Sequence, residues 1–481
     1  MAVRKRNWYK WLVIVFSLAV LWELFIFVRL PKQAFIQGLF ESWFVSNGLV
    51  FYRDFFGAYL PFLRLLMIPL HEIFGYNQYT TIVLAPITSI SVLLILFLAS
   101  RKWLTGWFGL VPIIFFSVWH TFLPNNNHFV ASTFLGVNVL ISLILWLLWW
   151  NKPTKSKSFL VGLFTAFGVF SVQIVLPFYV ILNATFFLKF RGRIKESLNH
   201  LRASLFGFLI PTLVIFLWFL EKGALYDLYV WTIKYHFTNY PYASFGRGTE
   251  DVLIYLSIHL PIIVFLAANL KKIKEVAIFF MYISLPLVFW FAMFGPTRFE
   301  ISLPSFALIF GLAVQSMFKN ESTKLQRFCF VILALVLLVN FYTITKYKLV
   351  TYKEKLFETN YTHQIISKIY PDDPMYNAVE WMKVNSNPED KIFVLGDVLF
   401  YVESERLPAN KAIASEPFAF VSFEEFRTEI ENSWPSYWAI DERLWKRFDD
   451  FGYSELRISF QKLIEKDPVV ARFDYWTIRK H

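Results

Sequence analysis

The sequence is short of charge, of cysteine and of the motifs that most soluble enzymes carry. Only 17% of its 481 residues are charged, against about 25% in an ordinary soluble domain. The one cysteine, Cys329, has no partner for a disulfide within the chain. Hydrolase and kinase glycine motifs are absent, and the eight histidines are not grouped at metal-ligand spacing. These absences argue against a disulfide-bonded, nucleotide-binding or zinc enzyme.

Apolar and aromatic residues are present in excess instead. The chain is 57% hydrophobic and 20% aromatic, with 56 Phe and 18 Trp, and these residues occur in runs long enough to span a membrane. The net charge of +12 comes from Lys and Arg in short loops between the runs, so nucleic acid is not expected as a partner. The first apolar run lacks a small-residue cleavage site and is expected to be retained. The sequence therefore predicts a polytopic α-helical protein of the cell membrane.

The basic loops predict how the chain is oriented in the bilayer. Four cations within residues 1–10 place the N-terminus in the cytoplasm. Because each span takes the chain to the other side of the membrane, every dense basic loop then lies inside and the C-terminus lies outside. Residues 158–189 also fit a single re-entrant hairpin, which leaves the topology unchanged. The eleven predicted spans are 11–29, 79–100, 106–123, 129–150, 158–172, 174–189, 202–220, 251–270, 276–295, 301–318 and 328–346.

Two domains are predicted, a membrane domain over 1–349 and a small extracytoplasmic α/β domain over 350–481. In the membrane domain, the first outer loop (30–78) contains "YLPFLRLLMIPLHEIFG", whose leucine stripe favours a helix in the membrane interface. The aromatic segment 221–250 is interpreted first as interfacial anchoring. The C-terminal domain carries no catalytic motif and is expected to act as a lid or platform. Its predicted elements are helices at 376–386 and 422–434 and strands at 391–396 and 436–441.

Polar side chains are predicted to converge on the outer face. For any single one of them, contact with water and lipid headgroups is the simpler explanation. Asp54 is the exception, because Tyr52, Phe55 and Phe56 flank its carboxylate and would partly desolvate it. The group comprises Glu41, Arg53, Asp54, His128, Lys222, Arg247, Arg298 and Glu300.

Residues 47–61, "NGLVFYRDFFGAYLP", resemble the first outer loop of the glycosyltransferase C superfamily. The similarity is greatest to its bacterial protein-mannosyltransferase and aminoarabinose-transferase-like branch, which is related to glycosyltransferase family 39. Three later stretches resemble segments of the same family in the same order: "EKGALYDLYVWTIKY" (221–235), "GPTRFEISLPSFALIFG" (295–311) and "AVEWMKVNSNPEDKIFVLGDVLFYVESERLPA" (378–409).

The resemblance implies transfer of a sugar from a polyprenyl-phosphate carrier to an extracytoplasmic lipid, glycan or protein. Asp54 matches the loop carboxylate that acts as general base in the family, and Arg53, or Arg298 and Arg247, would hold the donor phosphate. A lipid-linked donor needs no nucleotide-binding fold. No cofactor is expected with certainty, although a divalent metal is compatible with the resemblance. The other candidate substrate-binding residues are Tyr59, His128, Lys222 and Glu300.

One departure from the family pattern concerns a second acidic residue upstream of the Tyr-Arg-Asp run. Ile36 and Gln37 stand where many relatives carry it, and the nearest carboxylate is Glu41. Either Glu41 substitutes as a second catalytic acid, or Gln37 keeps only the hydrogen bonding, or the protein is not a standard transferase. The alternative function is a non-catalytic or transport protein of the same architecture, such as a lipid-linked glycan flippase or an assembly partner.

Overall fold

The computed structural model describes most of the chain. The ranges are 2–29, 36–57, 60–121, 131–234, 299–316, 374–411, 423–445 and 454–481, with a few single positions between 278 and 342. The predicted spans 251–270, 276–295 and most of 328–346 lie outside these residues, as does the predicted domain boundary near 350.

The first 316 residues contribute twelve described α-helices. Among the residues that the structure describes, four helical stretches are long and apolar enough to cross a membrane, namely Trp8–Val28, Gln78–Trp103, Thr133–Asn151 and Ile194–Glu221. The predicted polytopic helical class is thereby confirmed, while the number of spans stays a prediction. The helices are α1 Ala2–Arg29, α2 Ile36–Ser46, α3 Phe62–Phe74, α4 Gln78–Ile82, α5 Leu84–Trp103, α6 Val111–Thr121, α7 Ala131–Asn151, α8 Lys155–Val169, α9 Leu176–Lys189, α10 Ile194–Glu221, α11 Leu225–Tyr229 and α12 Phe299–Ser316.

Residues 158–189 form two helices rather than one. Helix α8 has 15 residues and α9 has 14, and a short 3-10 turn at Gln173–Val175 separates them. At 1.5 Å per residue each helix is about 22 Å long, which is less than the roughly 30 Å hydrocarbon core of a bilayer. The break lies where the sequence predicted it, and both a pair of short spans and a re-entrant hairpin fit these lengths.

The contacts divide the chain into two compact units, each built from separated segments. The first comprises Met1–Ala34, Ile82–Ile215 and Phe245–Thr362. Within it, α12 packs on α6 and α7, and α1 packs on α5 and α6. A buried Glu23–His120 pair, 3.0 Å between Oε2 and Nδ1, joins α1 to α6.

The second unit comprises Phe35–Thr81, Phe216–Ser244 and His363–His481. It therefore combines the first outer loop and the later aromatic segment with the C-terminal residues. Its remaining elements are α13 Pro374–Asn385, β1 Ile392–Leu395, α14 Leu399–Ser404, α15 Phe423–Asn432, β2 Tyr437–Asp441, α16 Ser454–Ile464, β3 Val469–Phe473 and β4 Trp476–Lys480.

A four-stranded mixed sheet organises the C-terminal residues, in the order β1-β2-β4-β3. Strands β1 and β2 pair in parallel and the other neighbours are antiparallel. Both parallel strands are buried along their whole length, as expected for strands covered on two faces. The two predicted strands and two predicted helices are confirmed, whereas the β3–β4 hairpin was not predicted. The core cluster is Phe393, Leu395, Ile430, Trp438, Ile440, Leu444, Phe460 and Ile464.

Candidate active site in the first outer loop

The loop that follows α2 is a tight turn closed by its own hydrogen bonds. The Asp54 N–H donates to the Val50 carbonyl (3.0 Å), the Val50 N–H donates to Asp54 Oδ2 (2.8 Å), and the Tyr52 N–H donates to the Phe55 carbonyl (2.9 Å). Tyr52 adopts a φ of 68°, which is uncommon for a residue other than glycine. Its fully buried ring stacks on Phe219 and fixes the turn in this conformation.

Aromatic side chains form the base of this turn. Phe55 lies 5.2 Å from Phe44 and 4.9 Å from Phe51 between ring centroids, and Phe51 also contacts Trp218. Phe44, Phe51 and Phe55 are all buried. The aromatic residues that flank the Arg53–Asp54 dipeptide in the sequence thus point into the core of the unit, and the two charged residues are left at its surface.

Arg53 and Asp54 form a bidentate ion pair at the tip of the turn. Arg53 Nε donates to Asp54 Oδ1 and Nη2 donates to Oδ2, both at 2.8 Å, while Nη1 donates to the Lys222 carbonyl at 2.9 Å. The side chains are 43% and 24% exposed. Burial raises the pKa of Asp54, but the hydrogen bonds from Arg53 and Val50 and the charges of Arg53 and Lys411 outweigh it, and the net pKa is lowered. Asp54 is therefore ionised at neutral pH.

Lys411 meets the same loop from a distant part of the chain. Its carbonyl accepts a hydrogen bond from the Phe56 N–H at 3.1 Å. Its Nζ lies 3.6 Å from Asp227 Oδ1 and 3.9 Å from Glu429 Oε1. No motif in the sequence singled this residue out, because its relation to the loop depends on tertiary packing.

Glu41 lies in the interior of the unit. Its Oε2 is 2.8 Å from Arg64 Nε, and both side chains are at most 2% exposed. Gln37 Nε2 donates to Glu41 Oε1 at 3.0 Å. Burial raises the pKa of Glu41, against the opposing charge of Arg64 and the hydrogen bonds from Gln37 and Arg64. The candidate second acid thus forms part of a buried connection between α2 and α3, whereas Asp54 is partly exposed.

The protein-facing side of α3 carries two of the three charged or ionisable residues that interrupt its leucine stripe, Arg64 and His71, whereas Glu72 is exposed. Arg64 contacts Glu41, and His71 Nδ1 lies 2.6 Å from Ser42 Oγ. Burial lowers the pKa of His71 to about 4, so its ring is neutral. Leu66, in contrast, is exposed. The predicted helix is confirmed, and its position in the membrane interface stays a prediction.

With this geometry established, comparison with solved structures identifies the fold. A crystal structure of ArnT from Cupriavidus metallidurans bound to undecaprenyl phosphate superposes with a TM-score of 0.60 at 12% identity, covering 98% of each chain. The chain shares the ArnT fold. The apo structure of that ArnT gives a TM-score of 0.59 at 12% identity, covering 98% of this chain and 97% of the other. No family model and no curated protein matches the sequence.

The ArnT-like fold confirms what the loop resemblance predicted about architecture. At 12% identity the likeness concerns the fold, and the roles of individual residues do not follow from it. The Lys222 side chain points to Glu221, with 3.3 Å between Nζ and Oε1, so that only its carbonyl contacts Arg53. Tyr59, His128, Arg247 and Arg298 lie outside the described residues, and Glu300 lies in the first turn of α12. In the part of the chain that the structure describes, no three His, Cys, Asp or Glu side chains come together as metal ligands would.

Proposed function

We propose that the protein is a membrane glycosyltransferase that moves a sugar from a polyprenyl-phosphate carrier to an acceptor outside the cytoplasmic membrane. The observation that carries the proposal is an ionised, partly exposed Asp54, presented beside Arg53 by a loop that is closed by its own hydrogen bonds. The shared fold supports it, because one of the ArnT structures holds undecaprenyl phosphate. A lipid, a glycan and a protein all fit as the acceptor.

Two chemical demands define the roles in this reaction. The acceptor hydroxyl must lose a proton as its oxygen attacks the sugar, and Asp54 is the proposed general base. The carrier phosphate leaves as an anion and needs cationic partners. Arg53 is one candidate for that second role, since a guanidinium matches two phosphate oxygens as well as it matches a carboxylate.

The Arg53–Asp54 pair suggests how these two demands are connected. While both carboxylate oxygens accept hydrogen bonds from Arg53, Asp54 is a weak base, because those bonds stabilise its ionised form. A donor phosphate that draws Arg53 away would free the carboxylate and raise its pKa. Donor binding would then activate the base. Arg298, Arg247, Tyr59, His128, Lys222 and Glu300 stay candidates for further donor contacts, and Glu41 for a second acid.

The test of this function is transfer of radiolabelled sugar from polyprenyl-phosphate sugars in membranes that contain the protein. Asp54→Asn is nearly isosteric but cannot accept the proton, and it should lower turnover by about 10²–10⁴-fold while donor binding stays near normal. Glu221→Gln is the matched control, since it removes a 72% exposed carboxylate from a neighbouring segment and should change turnover little.

Two results would contradict the proposal. Full turnover by Asp54→Asn at saturating donor would exclude Asp54 as the base. Wild-type protein that transfers sugar from none of a panel of polyprenyl-phosphate hexoses and pentoses, in membranes that supply native acceptors, would argue against a transferase and favour the transport or assembly alternative.

A further inference from the structure

A second positive charge lies beside the Arg53–Asp54 pair and comes from the C-terminal part of the chain. The Lys411 carbonyl is hydrogen-bonded to Phe56, two residues after Asp54. The Lys411 ammonium is close enough for its charge to lower the pKa of Asp54. Its side chain is 35% exposed, which makes it accessible to a ligand.

The two cations differ in how many of their donors are already engaged. Arg53 uses Nε and Nη2 on Asp54 and Nη1 on the Lys222 carbonyl. Lys411 Nζ stands 3.6 Å from Asp227 and 3.9 Å from Glu429, which are ion-pair distances beyond hydrogen-bond range. An ammonium has three N–H donors. With respect to the residues that the structure describes, those of Lys411 are available.

Two carboxylates lie close to this ammonium at ion-pair distance. Asp227 on α11 lies 3.6 Å from Lys411 Nζ, and Glu429 on α15 lies 3.9 Å from it. At these distances the carboxylates attract the ammonium through charge and do not accept hydrogen bonds from its N–H donors. A phosphate oxygen, which accepts hydrogen bonds and carries negative charge, is the type of ligand that such a cation binds.

We propose that Lys411 binds the phosphate of the polyprenyl-phosphate donor and neutralises it as the sugar departs. The inference rests on the proposed function. In the transfer step, the acceptor oxygen bonds to the anomeric carbon while the bond from that carbon to the phosphate oxygen breaks. The electron pair of the broken bond stays on the phosphate and the acceptor proton passes to Asp54. Lys411 keeps its own protons throughout and stabilises the leaving phosphate through charge and hydrogen bonds.

The chain offers a closely matched control for this proposal. Lys383 is also 35% exposed, and its Nζ lies 3.9 Å from Glu380 and 3.8 Å from Glu405. Lys383→Met and Lys411→Met therefore remove the same group from two side chains that are equally exposed and that each form ion pairs with two carboxylates. They differ in that only Lys411 is joined to the loop that carries Asp54.

The experiment measures binding of undecaprenyl phosphate and of undecaprenol, its uncharged counterpart, to the purified full-length protein in nanodiscs. Wild-type protein should prefer the phosphate. Lys411→Met should weaken binding of undecaprenyl phosphate by about tenfold, as expected for loss of a charge-assisted hydrogen bond. Binding of undecaprenol and the melting temperature should not change. Lys411→Arg should restore most of the phosphate affinity, and Lys383→Met should behave as wild type.

The outcomes separate this inference from the function on which it rests. If the wild type prefers the phosphate and Lys411→Met binds it equally well, the role of Lys411 is wrong and the proposed donor class stands. If the wild type does not distinguish the two lipids, the proposed function itself is contradicted. If Lys411→Met and Lys411→Gln both lose undecaprenol binding and melt at lower temperature, Lys411 is a structural residue and the inference is overturned.

Discussion

At the scale of single residues, the buried Glu41–Arg64 pair explains how the interior of the loop unit tolerates charge. Moving either ion out of water is costly, and the pair is stable because each compensates the other at 2.8 Å. Gln37 satisfies a further lone pair of Glu41. The sequence left two explanations for the missing upstream acid, namely that Glu41 replaces it or that Gln37 keeps only its hydrogen bonding. In the structure the two residues act together, because Gln37 donates a hydrogen bond to Glu41.

Glu41→Gln should destabilise the protein because it leaves the Arg64 charge buried without its counter-ion. The expected loss is about 3–5 kcal/mol, measured as a lower melting temperature and a smaller folded fraction in detergent. Glu196→Gln is the control, since Glu196 also pairs with an arginine, Arg193 at 3.1 Å, but is 47% exposed. The stability change there should be below about 1 kcal/mol.

The double replacement Glu41→Leu with Arg64→Met distinguishes structure from catalysis at this pair. It removes both charges and should recover most of the stability that Glu41→Gln loses. If the double variant is stable and also transfers sugar, Glu41 is not a second acid. If Glu41→Gln keeps wild-type stability yet loses turnover per folded molecule, the structural account is contradicted and Glu41 acts in the reaction.

The sequence contained enough information to propose Arg53 and Asp54 as site residues but not Lys411. The first two are adjacent within a recognisable run, and their local hydrogen bonds close over six residues. Lys411 reaches the loop only through the fold, and one partly exposed lysine in a basic chain carries no distinguishing pattern. The same limit applies to Arg64, which interrupts an apolar stripe and has its partner on a different helix.

At the scale of elements, α8 and α10 approach each other so closely that their glycines are required. A Cβ on Gly162 would lie 1.8 Å from the Ser204 carbonyl oxygen, and a Cβ on Gly207 would lie 2.0 Å from the Phe159 carbonyl oxygen. In both cases the obstacle is backbone, which cannot move aside as a flexible side chain can. Small residues at such crossings are a general feature of helix packing in membranes.

Gly207→Leu should force α8 and α10 apart. Overpacking a well-packed interface costs about 1–3 kcal/mol, and a clash with backbone should reach or exceed the upper end of that range. The measurement is the melting temperature of the purified protein. Ile210→Phe is the control, because it adds bulk to an exposed position on the same helix and should leave the melting temperature nearly unchanged. Equal melting temperatures for the two variants would show that this crossing is not close.

Element-level prediction succeeded where the sequence pattern was strong, but it did not include α14, α16 or the β3–β4 hairpin. The helix in "YLPFLRLLMIPLHEIFG" and the buried strand in "KIFVLG" were found from their patterns. The β3–β4 hairpin was missed because its turn contains Asp474 and Tyr475 in place of the usual glycine. Asp474 takes the left-handed conformation itself, with a φ of 53°, which aspartate tolerates better than most residues.

At the scale of the whole molecule, the candidate site comes from segments that are far apart in the chain. Arg53 and Asp54, the Lys222 carbonyl with Asp227, and Lys411 with Glu429 all belong to the second contact unit. The predicted division of the chain into residues 1–349 and 350–481 assigns the C-terminal residues and the loop that they contact to different domains. This is why residues that carry no catalytic motif of their own can still contribute a cation to the proposed reaction.

The proposed reaction requires this whole unit to face the outside of the cell, and the basic loops predict that it does. Helix α10 gives the sharpest test. Its 28 residues span about 42 Å, which is enough to cross a bilayer, with exposed Arg191 just before it and exposed Glu221 at its end. In a variant with Cys329 replaced by serine, Arg191→Cys should be protected from an impermeant maleimide in intact cells, whereas Glu221→Cys should be labelled.

Glu380→Cys on α13, which is 71% exposed, should be labelled together with Glu221→Cys, because both residues lie in the same unit. Labelling of Glu221→Cys and Glu380→Cys only after permeabilisation would place Asp54 in the cytoplasm, and an extracytoplasmic acceptor would then be out of its reach.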